Sequence, residues 1–249
     1  MRKRSGKQKK NPKYRRLATL GIALLITTIA ILFTYRKPPS PAGIEIDKTL
    51  YPVTGIDVSN HTGQIDFGKI KEQGIDFVYI KATEGTDFTD EKFQTNFQNA
   101  TINAIPVGAY HFFKFNSDGR KQAANFLQNI KDKKLDLPLV LDVEEWDNTL
   151  KKKPKEIVEE IRDFIDEVGK TRKDRVIIYT NESGYQKYIE GNFDKYAIWI
   201  CSFNDQPNIV AEWTFWQHSH KGRLEGAEGW VDVNTFNGDR AEWTRYLYN

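Results

Sequence analysis

Cysteine is almost absent from this sequence, and Cys201 is the only one among 249 residues. No internal disulfide can therefore form. This composition suits an exported domain that does not rely on disulfides, and the chain is long enough to bury a sizeable core without them. Cys201 directly follows Trp199 and Ile200. We interpret it as a small apolar packing residue rather than as a nucleophile.

Several catalytic and cofactor motifs are also missing. The sequence has no phosphate-binding loop, no dinucleotide glycine pattern and no Gly-x-Ser-x-Gly nucleophile elbow. Its four histidines form no His-Glu-x-x-His pattern. His218 and His220 could face the same way on a strand, but this spacing alone is weak support for a metal site. We therefore expect neither a cofactor nor a metal ion.

Acidic residues are missing from the first 37 positions, which hold 11 of the 37 lysines and arginines. Without this stretch the chain has 26 basic residues against 34 acidic ones, a formal charge of −8. The overall charge of +3 therefore belongs to the N-terminal tail. Because the remainder is acidic, we expect no nucleic acid partner.

An apolar stretch at residues 17–35 follows a basic tail at residues 1–16. Its length is sufficient for a transmembrane helix, because about 20 residues span the hydrocarbon core. The positive charge before it predicts a cytoplasmic N-terminus, with everything after residue 37 outside the membrane. A cleaved signal peptide is the alternative. Residues 34–37 are a poor cleavage site, so we favour an uncleaved anchor.

A proline-rich linker at residues 36–50 precedes the domain that we expect over residues 51–249. This domain alternates strand-like and helix-like segments, which indicates an α/β barrel. The last three strands follow one another across turn-rich gaps without clear helices, so the barrel is expected to be irregular at its end. The eight predicted strands lie at residues 53–58, 77–82, 105–112, 137–144, 175–180, 196–201, 214–217 and 230–233.

Two carboxylates close the apolar run of the fourth predicted strand. Asp142 and Glu144 are two positions apart, so on a strand their side chains share one face. Like charges this close resist ionising together, and one carboxyl can stay protonated near neutral pH. A protonated acid beside an ionised carboxylate is what cleavage of a glycosidic bond requires. A charged strand end that meets solvent is the plain alternative.

Other polar residues also lie at predicted strand ends, where the active sites of α/β barrels are found. Asp57 ends the first strand and Asp232 lies in the last, so we expect both to join the carboxylate pair in one acidic cleft. Glu84 and His111 are expected as further substrate contacts. Aromatic rings suit the C–H faces of a sugar, and those expected to line the cleft are Tyr110, Tyr179, Trp199 and Trp216.

Five segments resemble, in order, glycoside hydrolase family 25, the lysozymes of the Chalaropsis type. They are GIDVS at 55–59, KATEG at 81–85, GAYHF at 108–112, LDVE at 141–144 and VDVN at 231–234. The resemblance covers about residues 51–245. It implies a flattened, irregular (β/α) barrel of the TIM type whose last strands lack helices. It also implies hydrolysis of the β-1,4 bond from N-acetylmuramic acid to N-acetylglucosamine in peptidoglycan.

The same resemblance implies roles for the acids. Glu144 resembles the general acid, and Asp142 its partner, which orients the substrate N-acetyl group or stabilises developing positive charge. Asp57 and Asp232 resemble the flanking cleft acids. Residues 216–219 read WQHS where the family more usually has WQYS, which affects one contact of the cleft wall.

Two other functions remain open at this stage. A chitinase-type glycosidase would carry a further Asp where this chain has Val140. A non-catalytic, membrane-tethered wall-binding protein would lack a catalytic acid. We expect a monomer whose partners are peptidoglycan strands and, through the N-terminal helix, the membrane. The barrel is then expected outside a bacterial cell membrane, in the periplasm or at the wall.

Overall fold

The computed structural model describes residues 43–173 and 175–248 of the chain. Its strands are β1 (Thr54–Val58), β2 (Phe77–Glu84), β3 (Phe88–Thr89), β4 (Val107–Phe112), β5 (Leu139–Asp142), β6 (Val176–Asn181), β7 (Ala197–Cys201), β8 (Trp213–Gly222) and β9 (Val231–Phe236). Its helices are α1 (Phe67–Glu72), α2 (Phe93–Ile102), α3 (Gly119–Ile130), α4 (Pro154–Thr171), α5 (Glu182–Gly184), which continues into a π-helical turn at Tyr185–Ile189, and α6 (Arg240–Tyr248).

Eight of these strands form a closed barrel. The sheet order is β1-β9-β8-β7-β6-β5-β4-β2-β3, and the pairing of β1 with β2 closes the ring and leaves β3 outside it. Within the ring, neighbouring strands are parallel except at β9, which is antiparallel to both β8 and β1. The described residues between β7 and β9 contain no helix. The prediction of an α/β barrel is confirmed.

The predicted strands are present with shifted ends. The fourth was expected to reach Glu144, but β5 ends at Asp142. The seventh was expected to end at Gln217, but β8 continues to Gly222. The residues of β8 after Gln217 are polar or glycine, so the sequence did not indicate this extension. The alternation of polar and apolar residues is lost where a strand leaves the core.

Helix α4 shows how the outer layer forms. Its apolar residues recur at helical spacing and are buried against the barrel, while Glu156 accepts a hydrogen bond from the backbone N–H of Lys153 at the first turn. Pro154 stands at the helix start, where its missing N–H costs nothing. The helix runs through Gly169 and ends at Thr171.

The barrel interior is filled by aromatic rings. Phe77 and Tyr79 of β2 face inward, and Gly55 and Gly108 leave the space that these rings need. A Cβ atom added at Gly55 would lie 2.3 Å from the Phe77 ring, and one at Gly108 would lie 2.1 Å from the Tyr79 ring. Trp243 of α6 packs on Phe77 with ring centroids 5.1 Å apart. The C-terminal helix therefore covers one end of the barrel, the end at which β2 begins.

The segment before β1 lies against the barrel. Gly43 bridges to Ser219 of β8, and the backbone N–H of Ile44 donates to the carbonyl of His218 at 3.0 Å. Ile46 is buried, with 8% of its surface exposed, and belongs to the main core. Residues 43–46 thus contact the barrel, within the range that the sequence assigned to the linker.

The proposed membrane anchor lies outside the described residues, as do the basic tail and the first part of the linker. Within residues 43–173 and 175–248, no helix has both the length and the apolar character needed to cross a membrane.

Candidate active site

Four carboxylic acids meet at one mouth of the barrel. Asp57 lies near the end of β1, Asp142 is the last residue of β5, and Glu144 follows two positions later. Asp232 lies opposite Asp57 in the ladder between β9 and β1. The four side chains lie close enough to influence one another. The charge of Asp57 raises the pKa of the other three acids, and the charge of Glu144 raises those of Asp142 and Asp232.

The direction of β9 explains how Asp232 reaches this mouth. The sequence argument placed Asp232 with the C-terminal ends of parallel strands, and that reasoning is wrong for this strand. Asp232 is the second residue of β9, which runs antiparallel to its neighbours. The start of an antiparallel strand lies at the same edge as the ends of the strands beside it.

Burial raises the pKa of all four acids. Asp57 and Asp142 keep only 7% and 6% of their surface exposed. Burial raises the pKa of Asp57 to about 6, and burial with the charge of Asp57 raises that of Glu144 to about 7. Burial and the charges of Asp57 and Glu144 raise the pKa of Asp232 to about 9. Burial and the Glu144 charge hold the pKa of Asp142 well above its usual range. The cluster therefore retains protons near neutral pH.

A hydrogen-bond network fixes the carboxylate of Asp57. Its Oδ2 accepts from Nε2 of Gln217 at 2.9 Å and from Nδ2 of Asn234 at 2.8 Å. Gln217 in turn accepts from the Tyr179 hydroxyl at 2.8 Å, and Asn234 accepts from the Trp199 indole N–H at 3.0 Å. The two amide donors favour the ionised form of Asp57 and oppose the effect of burial.

Lys81 is the buried cation of the site. Only 8% of its surface is exposed, and its Nζ lies 2.7 Å from Glu84 Oε2 and 4.9 Å from the centroid of the Phe112 ring. Its charge lowers the pKa of both Asp142 and Glu144, and so opposes the effects that raise them. Lys81 therefore limits how far the acids resist ionisation.

One oxygen of Asp142 lacks an internal partner. Its Oδ1 is buried and accepts no hydrogen bond from the described part of the chain. A buried carboxylate oxygen left in this way is costly unless a ligand satisfies it. Among the same residues, no group of three or more histidine, cysteine, aspartate or glutamate side chains is arranged to hold a metal ion.

Exposed aromatic rings stand beside the acids along the chain. Trp146, two residues after Glu144, is 70% exposed and meets the Phe112 ring edge to face with centroids 6.2 Å apart. Trp230, two residues before Asp232, is 49% exposed. Such rings provide flat apolar faces next to acidic groups, which is the surface that a sugar chain packs against.

Residues 56–227 match the family model described as Glycosyl hydrolases family 25. The chain belongs to this family. It is 35% identical over 232 residues to the uncharacterized protein YegX of Escherichia coli strain K12, across 90% of this chain and 84% of that protein. It is 36% identical over 205 residues to Lysozyme M1 of Streptomyces globisporus, across 76% of this chain and 69% of that protein.

Solved structures agree with this assignment. A family 25 glycosyl hydrolase from Bacillus anthracis superposes with a TM-score of 0.76 at 34% identity, over 84% of this chain and 99% of the other. A lysozyme from Streptomyces coelicolor gives a TM-score of 0.69 at 34% identity, over 78% of this chain and 96% of that lysozyme. The predictions of a family 25 glycoside hydrolase and of lysozyme activity on peptidoglycan are confirmed.

His111, expected as a substrate contact of this family 25 enzyme, lies outside the mouth. It is fully buried between the barrel and the outer helices, and its ring packs on Phe126 and Phe164. Its two ring nitrogens lie 2.7 Å from Thr83 Oγ1 and 3.2 Å from Gln122 Oε1. Burial lowers the pKa of His111 to about 3, so the ring is neutral. His111 therefore packs between β4, to which it belongs, and the outer helices.

Trp216 is a second such correction. Its neighbour Gln217 faces the interior, so alternation along β8 turns the Trp216 ring toward the outer layer. There it is 2% exposed and donates its indole N–H to the carbonyl of Ser202 at 2.8 Å. His218, where the sequence departs from the usual family residue, lies in this layer too, with Nδ1 3.1 Å from the Ile44 carbonyl oxygen. Neither ring lines the mouth.

The other expected contacts take different positions. Tyr110 is partly buried beside the acids, and its pKa is raised by burial and then by the charges of Asp57 and Asp142. Tyr179 and Trp199 are buried and form the floor through the network described above. Glu84 does not stand free, because Lys81 and Lys114 hold its two oxygens at 2.7 and 2.9 Å.

Sequence reasoning did not select Lys81, Gln217 or Asn234 as site residues. Each lies in a strand two positions from a residue that faces the interior, and that spacing was the available signal. Their polar character at barrel-facing positions sets them apart from the apolar residues around them. The sequence analysis selected acids and aromatic rings, and it passed over the amides and the lysine that position them.

Proposed function

We propose that this enzyme hydrolyses the β-1,4 bond from N-acetylmuramic acid to N-acetylglucosamine, with Glu144 as the general acid. The raised pKa of Glu144, about 7, is the observation that carries this assignment. A carboxyl group with this pKa is protonated in a large fraction of molecules at neutral pH and can still release its proton in the reaction. Glu144 is also the more accessible member of the Asp142 and Glu144 pair.

The positions of the acids support the following reaction. Glu144 donates its proton to the leaving glycosidic oxygen, and the resulting carboxylate then takes a proton from an attacking water. The unpartnered Oδ1 of Asp142 is suited to accept the N–H of the substrate acetamido group or to face developing positive charge. Asp57 is held rigidly by Gln217 and Asn234 and supplies a fixed negative charge beside them.

Substitution of Glu144 tests this assignment. In Glu144→Gln we expect kcat on purified peptidoglycan to fall by about 10³-fold, because proton donation is lost. Glu145→Gln is the matched control, since Glu145 is next in sequence but bonds to Lys187 and Tyr188 away from the cluster. Mass spectrometry of the products should show muramic acid at the reducing end. Near-normal turnover in Glu144→Gln would remove this residue from the role of acid.

We further propose that residues 17–35 anchor the enzyme in the membrane with the barrel outside. The support is the run of apolar residues and the basic tail before it. In intact spheroplasts, added protease should digest the barrel domain and leave a membrane-bound N-terminal fragment. Recovery of a shortened protein in the medium would instead indicate cleavage of the segment.

A further inference from the structure

The turn between β8 and β9 carries a stacked cation that the reaction does not use. The guanidinium carbon of Arg223 lies 3.6 Å from the centroid of the Trp230 ring. Both residues are exposed. A guanidinium that lies over the face of an indole ring can keep N–H groups available for hydrogen bonds to a ligand.

This pair stands at the mouth of the barrel. Gly222 pairs with Val231 in the ladder, so Arg223 and Trp230 directly extend the two strands. Trp230 is two residues before Asp232, which corresponds to about 7 Å between Cα atoms on an extended chain. The stacked pair therefore lies about one sugar residue away from the acids.

The turn is held in place at several points. The backbone N–H of Gly229 donates to the Thr62 carbonyl at 2.9 Å, and Ala227 forms a bridge with Ile65. The carboxylate of Glu228 accepts from the Gln64 N–H at 2.8 Å. A platform fixed in this way loses little conformational entropy when a ligand binds to it.

Arg223 differs from the two lysines described above. Lys81 and Lys114 are both paired with Glu84. Within the described residues, Arg223 has Trp230 as its partner and no carboxylate within ion-pair distance. Its charge is therefore available to a ligand, at the edge of a site that is otherwise acidic.

We propose that Arg223, oriented by Trp230, binds a carboxylate of the peptidoglycan strand next to the sugar that lies over the acids. This inference rests on the proposed function. The carboxylate comes either from the stem peptide or from the lactyl group of a strand without peptides. A guanidinium binds such a group through two parallel hydrogen bonds. A polymer of N-acetylglucosamine alone has no carboxylate, so Arg223 favours the muramyl substrate.

Binding and turnover are measured separately. Full-length protein carrying Glu144→Gln is titrated with soluble peptidoglycan strands at about 0.15 M salt, roughly the physiological ionic strength. The same strands are also used after carbodiimide coupling to methylamine, which turns carboxylates into neutral amides. We expect amidation to weaken binding by about tenfold, the contribution of one hydrogen-bonded ion pair.

Adding Arg223→Gln should weaken binding to native strands by about the same factor and abolish the effect of amidation. Trp230→Ala should act in the same direction, and Trp230→Phe should retain most of the binding. In the otherwise unmodified enzyme, the effect of Arg223→Gln should fall on KM more than on kcat. Arg120→Gln is the control, because Arg120 lies on α3 and pairs with Asp163.

The source of the carboxylate follows from a third ligand. Strands treated with an amidase lose the stem peptide and gain a free lactyl carboxylate. Arg223-dependent binding that persists on them shows that the lactyl carboxylate of peptide-free strands is bound, and binding that disappears shows that the stem peptide supplies the carboxylate. Equal affinities of the Arg223→Gln and parent proteins for native strands would overturn the proposal. Because this readout needs no turnover, it stands apart from the Glu144→Gln assay of the proposed function.

Discussion

Lys81 shows how a single residue can set the working pH of the site. It is buried, and its charge is the main favourable influence on the ionised forms of Asp142 and Glu144. Lys114 carries the same charge, contacts the same Glu84 and lies at the same 4.9 Å from the Phe112 ring. It is not among the main causes of the pKa shifts of the two acids. The two lysines therefore form a natural pair for comparison.

We expect Lys81→Met to move the pH–activity profile to higher pH. Without the ammonium group, the pKa of Glu144 rises further from about 7, so the acid keeps its proton to higher pH. The alkaline limb of kcat should shift upward by about one pH unit. Lys114→Met should leave that limb in place. A profile unchanged in Lys81→Met would show that the lysine acts only through packing.

Asp232 provides a prediction about stability. Its pKa in the folded protein, about 9, exceeds the ordinary carboxyl value of 3.8. The folded state therefore binds this proton more tightly than the unfolded state. The resulting stability is complete below about pH 4 and is lost as the pH rises toward 9.

Asp232→Asn has no such dependence, so the variant should be more stable than the parent at pH 8, by at least about 1 kcal/mol. The two proteins should be nearly equal in stability at pH 4. Urea unfolding at both pH values measures this difference. As a control, Asp163→Asn on the surface of α4 should show no comparable change. A variant less stable at pH 8 than at pH 4, relative to the parent, contradicts the assignment.

At the residue scale, the sequence was informative about type and spacing. It identified the carboxylates because strong charge at the ends of apolar runs is unusual. It misplaced His111 and Trp216 because alternate side chains of a strand face the interior, and the sequence did not show which of the two alternating sets does so. A shift of one residue reverses the direction of every side chain. Packing of the interior decides which set faces inward, because Phe77 and Tyr79 fill the barrel and Gly55 and Gly108 leave room for their rings.

At the scale of elements, the reversed direction of β9 is the main departure from a parallel barrel. The turn between β8 and β9 covers residues 223–230. A parallel connection needs a crossover of about a dozen residues or more, usually with a helix. The short turn is therefore sufficient to explain the antiparallel pairing. The sequence did not indicate the antiparallel pairing. The polar residues after Gln217 were assigned to the connection, which therefore appeared longer than it is.

The segment before β1 provides a prediction for an element. Ile46 is buried in the core, whereas Leu50, four residues later, is 65% exposed. We expect Ile46→Ser to lower the free energy of unfolding by about 2–4 kcal/mol, because it leaves a cavity and buries a hydroxyl group. Leu50→Ser should change it by less than about 0.5 kcal/mol. Equal, small effects would mean that the segment does not contribute to barrel stability.

At the scale of the whole molecule, charge opposes the approach of the substrate. Residues after position 37 carry a formal charge of −8, and peptidoglycan strands carry carboxylates of the same sign. We expect long-range repulsion between them to slow association. The membrane anchor that we propose would offset this by holding the barrel at a high effective concentration near the wall.

A protein that begins at residue 43 should therefore cleave peptidoglycan faster as salt is added. Raising the ionic strength from about 0.01 M to about 0.15 M shortens the screening length from roughly 30 Å to roughly 8 Å. We expect kcat/KM to increase several-fold over this range. Methylamidated peptidoglycan, which is uncharged at those positions, should show little change. A rate that falls with salt on native strands would show that local attraction outweighs the net charge.

The network around Asp57 also bears on when the enzyme becomes active. Asp57 lies in the first strand, but its two amide partners lie in the last two strands. The site is therefore complete only after the C-terminal strand has joined the first one and closed the ring. Contacts between such distant parts of a chain form late and slow folding. A nascent or C-terminally degraded chain would hold Glu144 without a fixed Asp57, so we expect hydrolytic activity only after synthesis and closure of the ring are finished.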